Sequence, residues 1–139
     1  MPPRVESRGR SRALQALYAW DMREGADLAR VAQSIWDDLA VSPDEREFAD
    51  RLLGIVVAEG AALDGELADV TVNWRMERLG AIERCVLRLG SAELRQRTTP
   101  PRVVIQECVR LAERFGSEAS SRFVNGVLDA LARRTGRLS

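Results

Sequence analysis

Apolar residues recur at spacings of three and four along the chain, the pattern of amphipathic helices that pack on one another. No segment alternates apolar and polar residues for long enough to predict a convincing strand. Residues 70–74 are the only β-leaning run, and because this run is too short to found a sheet, we interpret it as a connection. The pattern therefore predicts an all-α protein.

Capping and breaking residues divide this pattern into separate helices. Asp27 is a natural N-cap, and the capping box Ser42-Pro43-Asp44-Glu45 predicts a long helix. Glycines weaken this helix, and a bend or a close helix contact is expected near Gly60. The residues Thr98-Thr99-Pro100-Pro101 stop one helix, and Gly116 ends the next. We expect a compact bundle of about six or seven helices. Helices are predicted over residues 7–23, 27–39, 43 to about 67, 77–97, from the prolines to 115, and 117–134.

Length and composition predict one domain over residues 1–139, because 139 residues with 45% apolar content suffice for one core. No stretch approaches the roughly 20 apolar residues of a membrane helix, and the N-terminus has no secretory h-region. A cytoplasmic protein without a membrane partner is expected. Cys85 and Cys108 lie on apolar stripes outside any CxxC spacing, which favours buried free thiols over a disulfide or metal site.

Catalytic signatures are missing from the sequence, which predicts a protein that is not an enzyme and needs no cofactor. There is no histidine and no lysine, and no GxGxxG, GxxxxGK[ST], GxSxG or HExxH motif occurs. The acidic pairs Asp37-Asp38 and Asp44-Glu45 are neighbours in predicted helices and point apart. They lie at helix ends, where capping or solvation explains them.

Charge is segregated along the chain although the total is zero. Residues 21–69 hold 4 Arg and 13 acidic residues, whereas the remainder holds 17 Arg and 8 acidic residues. Residues 4–12 carry 4 Arg against 1 Glu, interleaved with small residues. Arginine pairs with phosphate through a planar fork and stacks on bases, which suits single-stranded RNA. On charge alone, a solvated flexible end explains this cluster equally well.

Four segments in the same order resemble the NusB family of bacterial transcription antitermination factors. They are RGRSRALQALYAW at 8–20, IERCVLRLGSAEL at 82–94, PRVVIQE at 101–107 and RFVNGVLD at 122–129. The resemblance implies a NusB-like all-helical fold of two packed sub-bundles. It also implies a protein that joins the ribosomal protein NusE, binds the boxA element of nascent single-stranded RNA in the transcription elongation complex, and supports antitermination of ribosomal RNA operons without catalysis.

The resemblance carries site residues over position by position. The implied RNA contacts are Arg8, Arg10, Arg12, Arg122, Phe123 and Asn125, and the implied contacts with the protein partner are Tyr18, Glu77 and Glu83. Structural alternatives remain open for several of them. Tyr18 and Phe123 also fit core aromatics, Asn125-Gly126 fits close helix packing, and Glu83 fits a pair within its own helix.

The chain departs from the family pattern in two places. Glu6 interrupts the arginine cluster, which predicts weaker intrinsic RNA affinity and greater dependence on the partner, and Val-Val-Ile-Gln-Glu replaces Val-Ala-Ile-Asn-Glu at 103–107. A helical protein-protein adaptor without direct RNA contact is the alternative function. The RNA-binding module that precedes some ribosomal RNA methyltransferases is disfavoured because no catalytic domain follows residue 139. The sequence leaves a homodimer open.

Overall fold

The computed structural model of the chain describes residues 4–71 and 80–139, with the backbone alone for Arg4, and these residues form helices and no strands. The all-α prediction is confirmed. The helices of the described residues are α1 (Arg4–Asp21), α2 (Leu28–Asp38), α3 (Pro43–Val70), α4 (Ala81–Gln96), α5 (Pro101–Phe115) and α6 (Glu118–Arg134).

Side chains cap three of the helix starts, and the sequence predicts two of these caps, Asp27 and Ser42. The Asp27 carboxylate accepts a hydrogen bond from the Ala29 backbone N–H at 3.0 Å. Ser42 Oγ accepts from the Glu45 N–H at 3.4 Å and donates to Glu45 Oε2 at 3.0 Å, so the capping box is confirmed. At α6, Ser117 Oγ accepts from the Ser120 N–H at 3.0 Å. These caps satisfy backbone donors that have no partner within the helix.

The bend predicted near Gly60 is present in α3. Glu59 has φ −125° and ψ 17°, outside the helical region, and Gly60 follows it. The predicted start of α4 at Glu77 is wrong, because α4 begins at Ala81 after an extended Gly80 with φ −64° and ψ 151°. Glu77 itself and the predicted connection beyond Thr71 lie outside the described residues.

Helix α4 lies at the centre of the packing and joins two sub-bundles. In the first, α1 packs on α2 and α3, and in the second, α5 packs on α6. Because α4 contacts α1, α3, α5 and α6, both sub-bundles share its buried surface. The predicted two-part arrangement is confirmed. Trp36 is 1% exposed, as expected of a core residue, and its indole N–H donates to Asp50 Oδ1 at 2.9 Å.

Arginines on α4 join this helix to the first sub-bundle through ion pairs. Arg84 Nη2 lies 2.5 Å from Asp21 Oδ2 at the end of α1, and Arg88 Nε lies 3.2 Å from Asp64 Oδ1 on α3. Cys85, between these arginines, is buried and free, as predicted, and so is Cys108. Burial raises the pKa of Cys85 to about 12 and raises that of Cys108 as well, so both thiols stay protonated. None of the described helices is both long and apolar enough to cross a bilayer.

Candidate functional site

The three arginines at the start of α1 point in two directions. Residues four apart share one face of a helix, whereas residues two apart lie on nearly opposite faces. Arg8 is accordingly exposed, and Arg12 is half-buried with its Nη1 donating to Gln15 Oε1 at 3.1 Å. Arg10 points inward and is 1% exposed. The motif therefore places two guanidinium groups on an outer face and one in the core.

Arg10 is held by two buried carboxylates. Its Nε and Nη2 donate to the two oxygens of Glu93 at 2.8 and 2.6 Å, and its Nη1 donates to Glu107 Oε1 at 3.3 Å. The guanidinium carbon also lies 5.1 Å from the centre of the Phe48 ring. Burial by itself would lower the pKa of Arg10, but the hydrogen bonds and charge of Glu93 outweigh burial and raise it. The group is thus a permanent cation with its charge neutralised internally.

This burial corrects the sequence prediction for Arg10. The Arg10 side chain is closed off from solvent and paired with Glu93 on α4 and Glu107 on α5, so in this structure it is not exposed at the surface where RNA would bind. Its role is positional, because it fixes the start of α1 against both helices. Ser7 adds to this attachment by donating to Glu107 Oε1 at 2.6 Å. We define the outer arginine face as Arg8 and Arg12, which this buried cluster holds on the opposite side of α1.

The candidate residues on α6 differ among themselves in exposure. Arg122 is exposed and pairs with Glu118 Oε1 at 3.1 Å one turn earlier, and Asn125 is exposed as well. Phe123 is half-buried and packs against the core, in agreement with its alternative assignment as a core aromatic. A Cβ added to Gly126 would meet no described atom within 4 Å, so close helix packing does not account for this glycine. Arg122 and Asn125 remain candidates for RNA contact.

Replacing Gly126 with Ala is expected to raise the free energy of unfolding by about 0.5–1 kcal/mol, because glycine inside a helix costs that much relative to alanine. Open space at the added methyl group removes any opposing clash. Urea unfolding followed by circular dichroism measures the effect. A loss of stability would show that another part of the chain packs against this position.

Tyr18 lies on an apolar groove rather than in the core. It is 41% exposed and, together with Leu14, Gln15, Ile82 and Phe115, lines a shallow groove of about 400 Å³. Phe115 is 38% exposed at the end of α5, and with Tyr18 it gives the groove two exposed aromatic side chains. We define the Tyr18 groove by these five residues. The sequence did not indicate that Phe115 belongs to an exposed groove, because it is typical of an ordinary apolar position before the helix-ending Gly116.

Glu83 lies beside this groove and links α4 to α6. Its Oε1 accepts a hydrogen bond from Ser120 Oγ at 2.6 Å. This partner lies on α6, whereas the structural alternative expected a pair within α4. Ile82, which precedes it, belongs to the Tyr18 groove. Glu77, the third predicted partner contact, lies outside the described residues.

The outer arginine face and the Tyr18 groove are continuous. Gln15 lines the groove and accepts the hydrogen bond from Arg12, so one residue belongs to both surfaces. The acidic segment 21–69 comprises the last residue of α1, all of α2 and nearly all of α3. The basic excess therefore falls on the rest of the chain, which includes the start of α1. Within the described residues, no group of His, Cys, Asp or Glu side chains could hold a metal ion. The arrangement is therefore suited to binding an anionic polymer next to an apolar protein contact.

Comparison with known proteins identifies the same family along nearly the whole chain. The NusB family matches residues 7–133. The transcription antitermination protein NusB of Sorangium cellulosum (strain So ce56) is 42% identical over 135 residues, or 96% of each chain. A chain from the crystal structure of a plectonemic RNA supercoil is similar with a TM-score of 0.90 at 29% identity, covering 99% of this chain and 100% of that one. A chain from the crystal structure of antitermination factors NusB and NusE in complex with dsRNA has a TM-score of 0.87 at 29% identity and covers 96% and 99%.

Proposed function

The chain belongs to the NusB family, and from this premise we propose that it is a transcription antitermination protein that binds boxA-type single-stranded RNA together with NusE. It acts in the cytoplasm on nascent ribosomal RNA transcripts within the elongation complex, and it is a regulator rather than an enzyme. The observation that carries the proposal is the continuity of the outer arginine face with the Tyr18 groove through the Arg12–Gln15 hydrogen bond.

The RNA is bound at the outer arginine face. Arg8 and Arg12 lie one helical turn apart, and each guanidinium can pair with a phosphate oxygen through parallel hydrogen bonds. The buried Arg10 cluster holds α1 in place, so little ordering of the backbone is needed when RNA binds. Arg122 and Asn125 on α6 supply further polar contacts, and the half-exposed edge of Phe123 is open to a base.

NusE docks on the Tyr18 groove and Glu83. Tyr18 and Phe115 supply exposed aromatic surface of the kind that is enriched in protein interfaces. Glu83, which follows the groove residue Ile82 in the chain, supplies a negative charge. The solved structure of NusB and NusE with dsRNA, similar to this chain with a TM-score of 0.87, supports such a pairing. Because Arg12 and Gln15 join the two surfaces, RNA crosses from this chain to its partner near the start of the groove.

Replacing Arg8 and Arg12 together with Ala is expected to weaken boxA RNA binding in the presence of NusE by about tenfold or more, since each lost phosphate contact also reduces counterion release. Fluorescence anisotropy with labelled boxA RNA measures this, and the slope of affinity against salt concentration becomes shallower. Arg30→Ala is the matched control, because that side chain is 91% exposed on α2 within the acidic segment.

Unchanged affinity of the Arg8→Ala/Arg12→Ala variant would favour the adaptor alternative, in which the arginines play no part in RNA binding.

Tyr18→Ala separates the two surfaces. This variant is expected to lose NusE binding while the protein by itself retains its RNA affinity, since Tyr18 lines the groove and is not part of the outer arginine face.

A further inference from the structure

A polar cleft, separate from the Tyr18 groove, lies between α3, α4 and the end of α6. None of its lining residues belongs to α1 or α5. It has a volume of about 260 Å³. Its apolar lining comes from Leu63, Leu94 and Leu131, and its polar lining comes from Glu66, Ser91, Arg95, Arg97, Thr135 and Arg137. An apolar surface with a few convergent polar groups is typical of small-molecule sites. The proposed function uses none of these residues.

Ser91 supplies the most specific signal in the cleft. The residue is 3% exposed, and its Oγ is buried with no hydrogen-bond partner among the described residues. A buried hydroxyl without a partner destabilises a folded protein, and most buried polar groups are therefore satisfied. Because Ser91 lines the cleft, a ligand oxygen there can accept its hydrogen bond.

Arg97 and Arg137 add two positive charges to the cleft that Ser91 lines. Arg137 is fixed by its donation to the Leu94 carbonyl and, at 3.1 Å, to the Thr99 carbonyl, and a guanidinium has five N–H groups, so three remain to donate. Arg97 is exposed and has no ion pair or hydrogen bond to a side chain within residues 4–71 and 80–139. Burial and the nearby charge of Arg97 lower the pKa of Arg137. An anion between them would relieve this repulsion.

The backbone at Arg97 makes this position suitable for a test by substitution. Arg97 has φ +63°, the left-handed conformation in which helix ends usually carry glycine. Glycine would adopt this conformation without strain, so Arg97→Gly removes the side chain and the backbone strain together. The remaining arginine, Arg95, is already paired with Glu59 and Glu66, which also neutralises the Glu66 carboxylate on the cleft wall.

We propose that this cleft binds the phosphoryl group of a phosphate monoester. Arg97 and Arg137 hold the phosphate oxygens, the Ser91 hydroxyl donates a hydrogen bond to one of them, and the leucine surface receives a small apolar substituent. Arginine suits phosphate because its planar fork donates two parallel hydrogen bonds. The site is separate from the outer arginine face, so it stands independently of the proposed RNA contacts.

Calorimetric titration of the full chain with phenyl phosphate and with inorganic phosphate tests the proposal. The variants Ser91→Ala and Arg97→Gly are each expected to weaken phenyl phosphate binding by about fivefold or more, since each loses a charge-assisted hydrogen bond. Both variants should nevertheless melt at the same temperature as the parent protein or higher, because one removes an unpaired hydroxyl and the other removes backbone strain. Reduced binding with retained stability distinguishes a ligand site from a structural role.

The Arg8→Ala/Arg12→Ala variant is the control for phosphate bound at the RNA surface, and its affinity for phenyl phosphate should be unchanged. Equal affinity of the parent, Ser91→Ala and Arg97→Gly proteins would overturn the proposal, as would binding that only Arg8→Ala/Arg12→Ala abolishes.

In the Arg8→Ala/Arg12→Ala background, short RNAs with a 5′-phosphate or a 5′-hydroxyl distinguish two sources of the phosphate monoester, an RNA end and a small molecule. If the protein prefers the RNA with a 5′-phosphate and Arg97→Gly removes this preference, the monoester is an RNA end. If phenyl phosphate binds and the two RNAs bind equally well, the monoester is a small molecule. No binding by any of these phosphate probes overturns the proposal.

Discussion

Replacing Arg10 with Met is expected to lower the free energy of unfolding by about 3–5 kcal/mol, because removing one partner of a buried ion pair leaves an uncompensated charge. Glu93 is fully buried and would lose both of its hydrogen bonds from Arg10. Methionine keeps much of the apolar length of the side chain, so the loss reports mainly on the charge. Urea denaturation followed by circular dichroism measures the change.

The double variant Arg10→Met/Glu93→Met tests whether the lost charge pairing is the cause. Removing both charges should recover a large part of the stability that Arg10→Met loses, since apolar replacements of buried ion pairs are often neutral. Arg8→Met, on the exposed face of the same helix, should change stability by no more than about 0.5 kcal/mol. An effect of Arg10→Met below about 1 kcal/mol would instead be typical of a surface residue, and Arg10 would again be a candidate for RNA contact.

The inward direction of Arg10 follows from helical spacing, which the sequence analysis did not apply within the motif. Arg8 and Arg12 are four residues apart and share a face, whereas Arg10 is two residues from each and faces the other way. The resemblance gave all three the same role because it matches positions along the chain and carries no information about side-chain direction. The predicted helix over residues 7–23 already contains all three arginines, so this difference in direction could be inferred from the sequence.

The acidic partners of Arg10 also left a signal in the sequence. Glu93 comes four residues after Leu89, and Glu107 comes three residues after Val104, so both carboxylates fall on apolar stripes. A carboxylate at such a position is expected to have a buried cationic partner. Which arginine fills that role depends on how α1 crosses α4 and α5, and this three-dimensional information is missing from local patterns.

The fold was more predictable than the site because caps and periodicity act locally. Ser42 and Asp27 mark helix starts through hydrogen bonds to residues at most three positions away. The start of α4 was misplaced because the apolar pattern continues through Gly80, where the backbone is extended. The Tyr18 groove forms where α1, α4 and α5 meet, so its membership depends on packing between distant segments.

Enlarging Gly9 is expected to destabilise the protein in proportion to the volume added. A Cβ at this position would lie 2.7 Å from Phe48 Cδ1 and 3.1 Å from Phe48 Cβ, closer than packed atoms tolerate. Overpacking of this kind costs about 1–3 kcal/mol, of which the better helix propensity of alanine returns up to about 1 kcal/mol. Gly9→Ala should therefore lose about 1–2 kcal/mol, and Gly9→Val should lose about 3 kcal/mol, as measured by urea unfolding.

Gly54→Ala is the matched control, because an added Cβ in the middle of α3 meets no described atom within 4 Å. This variant should gain about 0.5–1 kcal/mol, so the same substitution has opposite signs at the two glycines. Gly9 lies inside the arginine motif next to Arg10, and displacing Phe48 would also disturb the ring beneath the Arg10 guanidinium. Gly9→Val is therefore expected to lower RNA affinity although Arg8 and Arg12 are intact, because α1 no longer seats correctly on α3. If alanine stabilised the protein at both positions, the Cβ added at Gly9 could not lie as close as 2.7 Å to Phe48 Cδ1, and α1 would be farther from α3 in solution.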